Sequence, residues 1–282
     1  MGAVHGTARR IDDPGDPRLD AYRVRSDPAL RRADQFVAEG SLVVRRLLGG
    51  GRHRVSSILA TEAALDALGD ALAAAAAVPE ILVADAALLR AVAGYPFHRG
   101  CLALAERGPV PPLGTVLDAL APGPALTLVL DDVLNPDNVG ALFRNAAAFG
   151  VGAVALTARS GDPCYRKAIR VSMGESLRIP WARFADWSEA GAALRARGIE
   201  AVALTPDGDD LDAVAERLPH RMALVVGNEG AGLSPAARGA SVAAVGIPTR
   251  ESLNVAAAAA IALYRLAPGR AARPDSAGRY SA

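Results

Sequence analysis

From residue 126 to residue 266, short apolar runs alternate with stretches of helical periodicity, and few folds accommodate that pattern. Residues 126–130, 153–157, 178–182, 201–204, 223–226 and 242–247 read as strands. Residues 139–148, 165–173, 188–197, 211–218 and 253–266 read as helices, two of them closed by Gly150 and Gly198. Most of the strand runs are apolar at every position. Such strands belong in a parallel sheet with helices over both faces. The second half is therefore expected to be α/β.

Three polar motifs interrupt this apolar background. They are N-P-D-N-V-G-A-L-F-R (135–144), V-G-N-E-G-A-G-L-S (226–234) and I-P-T-R-E-S-L-N-V (247–255). Each follows an apolar run, which puts it at the carboxyl end of a strand, the edge where open α/β sheets bind ligands. Asn, Arg, Glu and Ser are costly beside a core unless paired, so their concentration there points to a site.

The first half reads as a smaller α/β domain. Helices are expected at 41–48, 62–77 and 86–92, and strands at 55–60, 81–84 and 101–105. The whole chain divides into a loose Gly/Pro/Asp/Arg tail (1–20), the small domain (21–107), a linker opened by G-P-V-P-P-L-G (108–124), the parallel-sheet domain (125–268) and a polar tail (269–282). With aromatics at only 4%, alanine, valine and leucine must build the core.

A net charge of +1 gives no overall argument for a nucleic-acid partner. Local charge says more: Arg23, Arg25, Arg31, Arg32, Arg45, Arg46, Arg52 and Arg54 cluster, which reads equally as a solvated face or as an RNA-facing surface. Cys101 and Cys164 lack metal-ligand spacing and read as reduced cytosolic thiols. The N-terminus lacks the pattern of a signal peptide, and the alanine-rich run 256–262 is too short to span a bilayer. There is no phosphate loop, no H-E-x-x-H and no G-x-S-x-G elbow, and the Gly150–Gly152 pair lacks the third glycine of a dinucleotide fingerprint. The expectation is a cytoplasmic protein with no metal and no membrane partner. Taken alone, Arg144 is a helix-surface arginine, Asn138 a helix cap, Glu229 a brace within a glycine turn and Ser252 a cap of the last helix.

At the three motifs the chain resembles the SpoU/TrmH branch of the SPOUT RNA methyltransferases. The N-x-G-x-x-x-R pattern is met by Asn138, Gly140 and Arg144. The G-N-E-x-x-G-[LI] pattern is met by Gly227, Asn228, Glu229, Gly232 and Leu233. The I-P-x-x-x-x-S-L-N-V-x-x-A pattern is met by Ile247, Pro248, Ser252, Leu253, Asn254, Val255 and Ala258. A looser likeness to the family's ribosomal-protein-like substrate-binding domain rests on F-V-A-E-G (36–40) and H-R-G-C-L-A (98–103).

The resemblance implies a parallel sheet closed by a trefoil knot, a homodimer, S-adenosyl-L-methionine as cofactor, and methyl transfer to a ribose 2′-hydroxyl of RNA. An rRNA target is favoured over tRNA; a non-catalytic RNA-binding knotted protein is the reading of a different class. It further implies catalytic roles for Arg144, Asn138, Ser252, Asn254 and Glu229. The cofactor would lie against Leu204, Thr205, Gly227, Asn228, Gly232, Ile247, Leu253 and Asn254. The segment 160–174 is similar to the family's RNA-facing segment, which gives Arg166, Lys167 and Arg170 as phosphate contacts.

Overall fold

The computed structural model describes residues 8–94 and 100–267. His98, in the second stretch of looser likeness, and the tail from 269 lie outside the described residues. The chain forms two compact units. The first takes Met1–Pro109, Val139–Arg144 and Asp162–Arg178; the second takes Val110–Asn138, Asn145–Gly161 and the chain from Ile179.

The N-terminal part of the first unit carries β1 (Arg9–Arg10), α1 (Asp27–Arg32), β2 (Gln35–Glu39), α2 (Ser41–Gly49), β3 (Val55–Ala60), α3 (Glu62–Ala67), α4 (Gly69–Ala73), β4 (Glu80–Val83), α5 (Ala86–Ala93) and β5 (Cys101–Glu106). Its strands form a mixed sheet in the order β1-β4-β3-β5-β2. The expected loose tail (1–20) is corrected from residue 8 onward, residues 1–7 lying outside the described residues. Strand β1 pairs in parallel with β4, Ile11 and Leu19 are buried in the core, and the buried Tyr22 hydroxyl meets Ser57 Oγ at 2.7 Å. These apolar side chains fasten a segment whose overall composition is that of a coil. The single helix expected over 62–77 is two helices: Gly69, a poor helix-interior residue, opens the second after a break at Leu68.

The later elements are α6 (Leu113–Asp118), β6 (Ala125–Asp131), α7 (Pro136–Ala148), β7 (Ala153–Thr157), α8 (Arg166–Val171), β8 (Trp181–Phe184), α9 (Trp187–Arg195), β9 (Glu200–Asp210), α10 (Leu211–Val214), β10 (Arg221–Gly227), α11 (Pro235–Ala240), β11 (Ala243–Gly246) and α12 (Val255–Leu266). Of these, α8 belongs to the first unit and α7 runs through both. The expected linker at 108–124 is also corrected, because α6 buries Leu113, Val116 and Leu117 in the second unit's core. Strand β8 starts later than the expected 178, after a 3-10 turn at Glu175–Leu177 and Pro180.

All six strands of the second unit run parallel, in the order β11-β9-β10-β6-β7-β8. From β6 the chain steps outward through β7 to β8, then returns to the far side of β10. That reversal opens a crevice at the carboxyl ends of β6 and β10, the position where doubly wound sheets take ligands. Register sets Gly227 opposite Asp131, so the first two motifs leave the sheet side by side. Gly246 lies opposite Asp210 at the end of β9, which brings the third motif to the same edge.

Candidate active site

A cavity of about 1240 Å³ lies at this edge of the second unit. All three motifs line it, along with the end of β9. Its back wall is apolar, with Val226 and Leu233 buried. Glycines set its shape. A Cβ on Gly227 would fall 2.4 Å from the carbonyl carbon of Gly232, and one on Gly208 would fall 2.4 Å from that of Val245. Only glycine permits backbone to cross backbone so closely.

The motifs are joined by a relay of side-chain hydrogen bonds. Asn254 Nδ2 donates to Asn138 Oδ1 at 2.9 Å, and Asn138 Nδ2 donates to Glu229 Oε1 at 2.9 Å. Glu229 also accepts the Asn135 N–H at 3.1 Å and the Leu134 N–H at 3.4 Å. Desolvation pushes the Glu229 carboxyl upward, but the donors from Asn138, Asn135 and Leu134 outweigh it and hold the group below the usual carboxylate range. Asn254 meanwhile caps α12, its Oδ1 accepting from the Ala256 and Ala257 N–H groups. The cap of α7 is Asn135, whose side chain accepts from the Asp137 N–H. Asn138 is thereby left to the relay.

Behind the relay, buried Asp131 ties β6 to two other elements. Its Oδ1 accepts from Trp187 Nε1 at 3.0 Å and its Oδ2 from the Ser234 N–H at 2.6 Å. The next residue, Asp132, sits at φ 57°, a left-handed conformation that side chains other than glycine rarely adopt. Its carbonyl accepts from Asn228 Nδ2 at 2.8 Å, and Thr157 Oγ1 bonds its N–H and carboxylate at 2.9 and 2.7 Å. The 227–234 turn is held at both ends by adjacent residues of one strand terminus.

All eight positions expected at the cofactor line this cavity: Leu204, Thr205, Gly227, Asn228, Gly232, Ile247, Leu253 and Asn254. Asn138, Glu229 and Ser252 line it as well. Arg144 is an exposed residue of α7 outside that lining. Arg166 requires correction. Expected as a surface phosphate contact, it is only 6% exposed. Its guanidinium bonds Asp27 at 2.7 Å and the Tyr22 carbonyl at 3.1 Å, with Glu39 at 3.5 Å. Glu39 is buried, and a buried carboxylate needs a cation, which decides where Arg166 points. Lys167 and Arg170 are half-buried, with Arg170 3.9 Å from Glu39.

The sequence reading missed Arg238, which lines the cavity from α11. It bonds Asp207 at 3.1 Å and Thr205 Oγ1 at 3.0 Å, and the hydrogen bond from Thr205 together with Arg238 holds the Asp207 carboxyl low. The one available signal was Ser234-Pro235, a cap followed by proline, which marks the start of α11. Among the described residues no cluster of three or more His, Cys, Asp or Glu is arranged to hold a metal ion, and no helix is long and apolar enough to cross a membrane.

A parallel open sheet with a glycine-shaped crevice at its switch point defines a ligand-binding α/β domain. Comparison with known proteins is more specific. The SpoU rRNA Methylase family profile matches residues 125–264. A Mycobacterium bovis protein named as a tRNA/rRNA methyltransferase is 40% identical over 265 residues, covering 90% of each chain. A 23S rRNA (guanosine-2′-O-)-methyltransferase from Burkholderia sp. is 33% identical over 195 residues, 68% of this chain and 78% of that one. The AdoMet-bound rRNA methyltransferase of Sinorhizobium meliloti superposes with a TM-score of 0.79 over 95% of this chain and all of that one; at 22% identity this shows the shared fold. The chain belongs to the SpoU rRNA methylase family and is an RNA methyltransferase.

Proposed function

We propose that the chain transfers a methyl group from S-adenosyl-L-methionine to a ribose 2′-hydroxyl of RNA, with ribosomal RNA the favoured substrate. The observation that carries this reading is the convergence of three distant motifs on one cavity, linked by the Asn254–Asn138–Glu229 relay. The residues present fit the cofactor. The cavity exceeds the usual ~300–1,000 Å³ of small-molecule sites, and its buried apolar wall suits an adenine ring while backbone around Gly227 and Gly232 offers hydrogen bonds to the ring edge. Leu204, Thr205, Gly227, Asn228, Gly232, Ile247, Leu253 and Asn254 would hold it. When bound, the cofactor supplies a methyl group already activated on a sulfonium, so the chemistry left to the protein is placement and management of a hydroxyl proton.

The relay keeps Asn138 and Asn254 in fixed rotamers and so pre-orients the polar rim. Ser252 and Asn254, at the entry to α12, present polar groups to substrate. A guanidinium offers donors and no acceptor, so Arg144 serves by binding the phosphate beside the target ribose and stabilising the developing alkoxide rather than by removing a proton. The reading includes a trefoil knot at this edge of the sheet, where glycine at 208 and 227 lets backbone lie close against backbone. The proposal also includes a homodimer, cytoplasmic location, a ribosomal-protein-like fold for the small domain, and RNA contacts from Lys167 and Arg170.

The test is methyl transfer from labelled S-adenosylmethionine to separated 23S, 16S and transfer RNA pools, with the site mapped by 2′-O-methyl-sensitive sequencing. A mark on a base, or none in ribosomal RNA, overturns the respective part of the reading. Arg144→Ala is expected to keep cofactor affinity within about twofold and lose at least ~10²-fold in turnover. Unchanged turnover removes Arg144 from the mechanism.

A further inference from the structure

Seven of the eight arginines clustered between Arg23 and Arg54 fall into two groups on folding. Arg23 bonds the Asp20 carboxylate and the Pro14 carbonyl, Arg45 pairs with Asp70, Arg46 with Glu175 and Arg54 with Glu106. Arg25, Arg31 and Arg32 instead line one cavity of about 500 Å³ in the first unit. The side chains of Arg25 and Arg31 are 76% and 70% exposed, and the nearest carboxylates, Asp20 and Asp162, stand off at 3.7 Å. The floor of this cavity is apolar, made by buried Leu30, Phe36 and Val37. Tyr165, 42% exposed, flanks it. Of the five arginines that line the cavity, Arg166 is bonded to Asp27 and Arg107 to Asp162, both at 2.7 Å, which leaves Arg25, Arg31 and Arg32 as the cations of its rim.

An apolar floor with one aromatic ring, beneath a cationic rim, matches a planar heterocycle joined to phosphates. We propose that this cavity receives one unstacked nucleotide of the RNA substrate, its base against Phe36, Leu30 and Tyr165 and its flanking phosphates on Arg31 and Arg32. The inference rests on the RNA-methyltransferase reading and extends it to a recognition site apart from the methyl-transfer cavity. A paired duplex satisfies only the rim, because its bases stay stacked; a splayed single strand fills both parts. The cavity volume falls within the ~300–1,000 Å³ range of small-ligand sites, enough for one nucleotide.

The experiment is fluorescence anisotropy of the full chain with a labelled 12-nucleotide oligouridylate and with a duplex RNA of equal length, at stepped KCl. The single strand is expected to bind more tightly than the duplex. R31A/R32A is expected to weaken it about 10-fold at 0.1 M salt and to flatten the log–log salt slope by roughly 1.4, two phosphate contacts at ~0.7 each. Tyr165→Ala is expected to weaken it about 10-fold with the slope unchanged, since stacking carries no counterion. A 4-thiouridine probe should crosslink to the Tyr165 peptide. Arg31 and Arg32 are exposed, so an unchanged melting temperature checks that the double variant folds. Duplex binding as tight as single-strand binding, a double variant within twofold of wild type, or displacement of the probe by an acidic peptide overturns the proposal. The methyl-transfer assay separates the two claims. Probe binding as described, with no RNA pool methylated, sinks the reaction reading and leaves the cavity standing. Normal methylation with an unaffected double variant does the reverse.

Discussion

Glu229 is the joint at which the first two motifs are held, and replacing it with glutamine tests that joint at minimal change of shape. In the folded chain every neighbour of this carboxylate is a donor: Asn138 Nδ2 and the Asn135 N–H at Oε1, the Leu134 N–H and Asn228 Nδ2 at Oε2. Glutamine can keep its carbonyl oxygen on the first pair, at 2.9 and 3.1 Å. Its amide must then face the second pair, at 3.4 and 3.5 Å, where N–H meets N–H. The lost contacts are long and the side chain is exposed, so the charged-bond value of about 1.5–3 kcal/mol is discounted to roughly 1–2 kcal/mol. If the relay shapes the cofactor site, Glu229→Gln weakens S-adenosylmethionine binding about 5- to 30-fold in titration calorimetry. Glu229→Ala, which strands Asn138 as well, weakens it further. Affinity within twofold of wild type for both variants, with unchanged unfolding midpoints, would show that the relay is a bystander.

The same carboxylate gives a pH dependence. Its folded pKa lies below the unfolded value of ~4.3, so its contribution is complete above that value and is lost as pH falls through the folded pKa. Cofactor affinity should therefore decline in wild type as pH falls below the ordinary glutamate range, and less steeply in Glu229→Gln; parallel profiles would refute the assignment. Asp131→Asn turns one of two buried acceptors into a donor facing Trp187 or Ser234, and is expected to lower stability by about 2–3 kcal/mol in urea unfolding. A shift under 0.5 kcal/mol would mean that Asp131 does not anchor the 227–234 turn. Arg166→Ala leaves Asp27 without its cation and buried Glu39 with Arg170 at 3.9 Å, and should cost about 3–5 kcal/mol. Wild-type stability with reduced RNA affinity would return Arg166 to the surface role it was first assigned.

The parallel sheet was legible because β6, β7 and β10 are apolar at nearly every position, a pattern set by burial on both faces. Strand β2 was not, since it is five residues long and ends on Glu39, whose buried charge is balanced by Arg166 and Arg170, more than a hundred positions away. The early tail and the linker were misjudged for a related reason. A few apolar residues, Leu19 in one and Val116 in the other, decide burial where average composition says coil. The site was legible at its motifs, and Asn138, Glu229 and Asn254 do meet. Asp131 carries no local signature and Arg238 only the Ser234-Pro235 start of its helix, because their partners are supplied by other elements at long range.

The engagement of Arg166 with Asp27 and Glu39 bears on how this protein can be dissected. A fragment beginning at Val110 would carry Arg166 without either acid, exposing a segment that evolved to be covered. Expression trials of the catalytic half alone should therefore recruit solubilising substitutions on α8, or retain the preceding hundred residues. By the same logic, changes at position 27 or 39 in natural variants ought to be mirrored at position 166.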